Sequence, residues 1–189
     1  MIQLEAARAH RNRNGAMDIF QILGRFNEWA NERIYDACAK LSDEDYMKDR
    51  RAFFGSIHNT LNHLLVVDRL WRGRIENMDA GIKGLDDILY DDLNRLHAAR
   101  RAEDQTIIAL VDGFDETGIN EPVSYRLLDG QPGNKPLGVI LITLFNHQTH
   151  HRGQVHNMLS QAGVKPPALD IINFTPDGRA GQGGAAARS

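Results

Sequence analysis

The chain has one cysteine, Cys38, in 189 residues. Intramolecular disulfides are thereby excluded, and so are zinc sites that need two or more cysteines of one chain. No apolar run approaches the 18 residues or more of a membrane span. Positive charge is not in excess either: 22 lysines and arginines stand against 25 aspartates and glutamates, for a formal net charge of -3. A balance of that sign gives no basic field to recruit nucleic acid or an anionic membrane surface. Residues 1–16 carry three arginines but lack the apolar stretch of a secretory signal. The cytoplasm is the default location, and residues 1–16 read as a flexible N-terminal extension before a folded unit over 17–174. After Phe174 no core-forming residue follows, so residues 175–189 read as a disordered tail.

What the chain does have is 42% hydrophobic content, enough for one sizeable core. Over residues 17–41 the apolar positions Ile19, Ile22, Leu23, Phe26, Ala30, Ile34, Ala37, Cys38 and Leu41 recur every three or four residues, one face of a helix. Ser42 then opens "SDED", an N-cap with an acidic first turn for a short connecting helix. Ser56 caps a second long helix through Leu61, Leu64, Trp71 and Ile75. A third is expected over residues 87–114, with Leu89, Leu96, Ile107 and Val111 on its stripe. "VSYRLLDGQPGNKP" carries turn signals for a short hairpin. Pro136 opens a fourth long helix, and Gly163 ends it in the left-handed conformation. The expected fold is all-α, an antiparallel four-helix bundle, possibly with that hairpin before the last long helix.

Four of the eight histidines fall within "NHQTHHRGQVH", residues 146–156. Each helical residue advances about 100°, so positions four apart differ by about 40°. The stripe Ile140, Leu144, His147, His151, Val155, Met158 is continuous, which aims His147 and His151 into the core. Their Cβ atoms are expected roughly 5–6 Å apart, close enough for two rings to share one ion. His150 and His156 fall on polar rows and read as bystanders. On the second long helix His63 lies beside the apolar stripe, whereas His58 shares a mostly polar row. His10 lies in the leader and His97 beside a charged run. An inward pair with no ion would instead hydrogen-bond carbonyls or carboxylates. With a third inward histidine on another helix, a divalent ion held by three protein ligands and an open position is the favoured reading.

These residues are familiar. "FFGSIHNTLNHLLVVDRLWRGR" followed by "LFNHQTHHRGQVHNMLSQAG" resembles the DinB family of DinB/YfiT-like metalloenzymes. "FNEWANERIYDACAKLSDEDY" and "PPALDIINF" resemble it too, so the likeness covers residues 17–174. It implies a four-helix bundle with a divalent ion on one histidine of the second long helix and two of the fourth, here His63, His147 and His151. It also implies nickel, zinc or iron as the ion, a homodimer, and a low-molecular-weight thiol as cosubstrate.

The resulting expectation is a metal-dependent enzyme, a thiol-dependent transferase or a hydrolase acting on a small electrophile. The alternative is a non-catalytic metal-binding stress-response protein. No nucleic-acid or membrane partner is expected, and no catalytic side chain beyond the ligands is assigned. Asn59, four residues before His63, and Gln154, three after His151, are expected to orient the ligand rings. Arg152 reads as a surface or dimer salt bridge, or as a partner for a cosubstrate carboxylate. Gly153 suggests close approach of another backbone, and Trp29 and Trp71 read as packing residues.

Overall fold

The computed structural model describes residues 18–115 and 117–175; the expectations for residues 1–17 and 176–189 lie outside them. Among the described residues there are five α-helices and one two-stranded sheet. The helices are α1 (Ile19–Cys38), α2 (Asp43–Met47), α3 (Ile57–Glu76), α4 (Leu93–Asp112) and α5 (Leu137–Gln161). The sheet pairs β1 (Pro122–Arg126) with β2 (Pro132–Pro136) in antiparallel register, Tyr125 opposite Gly133. Among the described residues no helix is long and apolar enough to cross a membrane.

Local chemistry sets the helix starts. The Asp18 side chain accepts from the Phe20 and Gln21 backbone N–H groups, and the Gln21 side chain reaches back to complete a capping box. Ser42, Ser56 and Asp92 each accept a backbone N–H three residues on. Gly163, at φ 76°, makes the left-handed turn after α5. Helix α4 starts at Leu93, not near residue 87 as periodicity suggests. The Asn62 side chain on α3 accepts from both Leu89 N and Tyr90 N, which satisfies that backbone without a helix.

Bridging side chains set the helix directions. Arg25 meets Asp112 while Glu32 meets Arg101, so α1 and α4 run antiparallel. Asp68 meets Arg100 and Arg72 meets Glu103, so α3 and α4 run parallel. Phe54, just ahead of α3, lies against His151 while His63, further along, approaches His147, so α3 and α5 oppose each other. Each long helix thus touches two others, in the cyclic order α1, α4, α3, α5. A parallel α3–α4 pair forces residues 77–92 to travel back along α3, and that crossing passes over His63.

Apolar packing forms two clusters. One gathers Ile34, Leu61, Leu65, Leu96, Val155 and Leu159, the other Phe20, Ile107, Val111, Leu141, Leu144 and Phe145. Cys38 is buried in the first, and burial pushes its thiol up to about 12, so it is inert as a nucleophile. Trp29 packs beside Phe26 and Phe174, and Trp71 against Tyr125.

Candidate metal centre

Three imidazoles meet between α3 and α5. Nitrogen atoms of His63, His147 and His151 all lie within 4.8 Å of one another. His63 and His151 are buried and His147 half-buried. The ring centroids stand 5.0 Å apart for His63–His147, 4.6 Å for His63–His151 and 4.4 Å for His147–His151. The helical repeat explains the α5 pair, and the antiparallel α3–α5 packing brings the third ring.

The protein fixes the tautomer of two rings. His63 Nδ1 donates to the Leu85 carbonyl at 2.7 Å, because a carbonyl only accepts. His151 Nδ1 donates to Gln154 Oε1 at 2.8 Å. Each ring therefore keeps its Nε2 lone pair for a ligand. His147 Nε2 faces His63 Nε2 at 3.0 Å. Two nitrogens about 2.1 Å from one ion, at about a right angle, are about 3.0 Å apart. His147 Nδ1 is buried without a hydrogen-bond partner among the described residues, so no acceptor anchors this ring from its Nδ1 side.

Charge state agrees with a ligand role. Burial lowers the pKa of His63, outweighing the Leu85 carbonyl. His147 falls to about 3 through burial, helped by the neighbouring His151 and His63 rings. His151 falls to about 4 through burial, against the pull of Gln154. All three are neutral at pH 7, and neutral imidazole is the metal-binding form. Phe54 stacks on His63 with centroids 3.9 Å apart and holds that ring from behind. The donor set, three neutral nitrogens whose other ring positions are partly anchored, fits a borderline divalent ion.

The other histidines lie elsewhere. His150 is exposed, although Gln154 Nε2 reaches its Nε2 at 3.1 Å. His97 stacks on Tyr35 and bonds Glu32. His58 is buried against Tyr46, contrary to its polar row, because α2 folds over that side of α3. Of the two expected supporting residues, Gln154 touches a ligand ring and Asn59 does not. The exposed Asn59 donates instead to the Phe54 carbonyl, bracing the loop that supplies the Phe54 ring. Gly153 is exposed, and a Cβ there would meet nothing within 4 Å, so no backbone approaches it.

Sequence reasoning missed a layer of buried polar groups directly beside the rings. Arg152, expected at a surface, is 3% exposed. Its NH1 bonds Asn27 and Asn31 of α1 and Gln148 of α5. Gln148 Nε2 donates to Asp68 Oδ2 on α3, which also accepts from Arg100 NH1 at 2.7 Å. Arg100 NH2 lies 3.0 Å from Asp104 Oδ1, an ion-pair contact outside hydrogen-bond geometry. Asp104 in turn accepts from Asn27 and Asn31. The circuit closes through all four long helices and separates the two apolar clusters. Burial pushes Asp68 up to about 6 against the pull of Arg100, so it stays ionised at neutral pH. The sequence did carry a signal: between Leu96 and Ile107 the inward positions of α4 are Ala99, Arg100, Glu103 and Asp104, three of them charged.

With this geometry in hand, relatives are informative. Protein DinB of Bacillus subtilis (strain 168) is 28% identical over 78% of this chain and 88% of that protein. The pattern of the DinB family matches residues 17–178, and the chain therefore belongs to the DinB family.

Proposed function

We propose that His63, His147 and His151 bind one divalent ion, nickel, zinc or iron, on the inner face of a four-helix bundle, and that the site serves thiol-dependent transfer or hydrolysis of a small electrophile. One observation carries this reading: three neutral imidazoles from two helices converge, with two Nδ1–H groups tied to Leu85 and Gln154. Membership of the DinB family supports it. When bound, the ion would favour the deprotonated form of a thiol or water at neutral pH. The chain's own residues supply the rest. Leu85 and Gln154 hold two rings in the ligand tautomer, Phe54 keeps water from one face of His63, and among the described residues no carboxylate joins the three rings to fill the ligand set. We further propose a cytoplasmic homodimer whose partner molecules are small.

The experiment is elemental analysis of protein purified without a histidine tag, then titration of the metal-loaded protein with small thiols. The expected result is about one ion per chain, a thiol-dependent change in a cobalt-substituted spectrum, and turnover of an epoxide, activated halide or ester. Bound metal with no response to any thiol and no turnover would favour the non-catalytic metal-binding stress-response protein.

A further inference from the structure

A cavity of about 220 Å³ lies between the loop that carries Phe54 and the end of α5. Its lining is segregated by chemistry. Arg50 and Arg51 supply two guanidiniums, Gln154, Asn157 and Gln161 supply carboxamides, and Ala52, Phe53 and Met158 form an apolar wall. Among the described residues no acidic one lines it.

The Arg50 side chain and the Arg51 backbone are both set in place. The Arg50 side chain is 7% exposed, and its NH2 bonds Asp45 O and Asp45 Oδ1, each at 3.0 Å. Its Nε is buried with no hydrogen-bond partner among the described residues. Arg51 holds a backbone φ of 57°, in the left-handed region that glycine occupies without strain. The strained backbone is braced by Asp49 Oδ1 accepting from Arg51 N, by Arg50 N donating to Gly55 O, and by Gly55 N donating to Ala52 O. Strain retained by a braced loop is a recurring mark of ligand sites.

We propose that this cavity binds a small organic carboxylate. The anionic end would lie with the two guanidiniums, whose planar forks match a carboxylate. The carbon skeleton would lie against Phe53 and Met158, a wall that offers nothing to a bare inorganic ion. The volume is below the ~300 Å³ at which pockets for drug-sized ligands begin, so the ligand is small. Gln154 is shared between this cavity and the three rings, through His151 Nδ1 at 2.8 Å. A bound carboxylate is thus one side chain away from the proposed metal. The inference deepens the functional reading by naming a ligand class, and it rests on that reading only for what the ligand would do there.

The test uses the full-length protein without metal, so that failure here is distinct from failure to bind an ion. Benzoate is titrated while the side-chain amide signals of Gln154, Asn157 and Gln161 are followed by nuclear magnetic resonance. The expected result is saturable movement of those signals, with benzamide, the neutral analogue, binding at least roughly tenfold more weakly. Arg51→Met, at an exposed position, is expected to weaken benzoate by a similar factor without loss of helical content. Equal binding of benzoate and benzamide, or benzoate that leaves the three amides unmoved, overturns the proposal. Inorganic phosphate binding as tightly as benzoate overturns the organic-carboxylate class.

Discussion

Gln148 on α5 donates a 2.5 Å hydrogen bond to Asp68 on α3, and both residues are fully buried. One follows His147 directly and the other stands five residues after His63, so this bond ties the two helices that present the rings. Among the described residues it is the one direct α3–α5 link in the polar circuit, and with the apolar packing of Leu61 and Leu65 beside Val155 and Leu159 it restrains the register of the ligand helices.

Gln148→Met removes that link with little change of volume. We predict a loss of about 1–3 kcal/mol in urea denaturation, the range for leaving buried polar groups underpaired. Zinc affinity, read by competition with a chelating dye, is expected to fall roughly tenfold as the rings lose their register. Unchanged zinc affinity alongside lost stability would reduce the bond to a packing role.

His151→Ala and His150→Ala separate ligand from neighbour. The first is expected to lose bound metal while keeping its helical circular dichroism, since the two apolar clusters do not depend on the ion. The second removes an exposed ring and is expected to retain metal. Equal loss in both variants would contradict the placement of His151 at the centre.

Gln154→Leu leaves His151 Nδ1–H without its acceptor. Outer partners of metal-bound histidines typically contribute about 10–100-fold in affinity, and a loss in that range is expected for zinc. Asn59→Ala serves as the contrast. It touches only the Phe54 carbonyl, so its effect on zinc is expected to stay under about threefold.

Acid is expected to destabilise the metal-free protein through the same rings. Burial lowers all three pKa values, to about 3 at His147 and about 4 at His151. The unfolded chain takes up protons near the ordinary histidine value of about 6.5, where the folded rings do not. The contribution of the neutral rings is therefore complete above that value and is lost as pH falls from about 6.5 toward 4. Thermal melts across that window should show a steep decline, and His147→Gln should flatten it. A melting temperature that is flat in the wild type would show that the rings are not held neutral by burial.

Much of this site could be read along the chain. His147 and His151 continue a stripe through Ile140, Leu144, Val155 and Met158, and a period of about 3.6 residues leaves them no other face. Gln154 followed from the same geometry, one turn on. Arg152 misled because an arginine on a mixed row reads as surface, and its burial depends on partners from α1 more than 100 residues away. Helix α4 was expected to begin too early because Leu89 fits the apolar period, whereas Asn62 ties that segment to α3.

The sequence by itself determined the existence of the long helices, the Ser42 and Ser56 caps, the hairpin and which face of α5 carries the rings, because these depend on local hydrogen bonding and on the helical repeat. Only the tertiary structure decided that α3 and α4 run parallel, and hence that residues 77–92 return along α3 to place the Leu85 carbonyl against His63. It alone decided that Asp68, Arg100, Asp104 and Arg152 neutralise one another inside the core. A charge pairs with whatever the fold brings within about 4 Å, and no periodicity along a single helix records that distance.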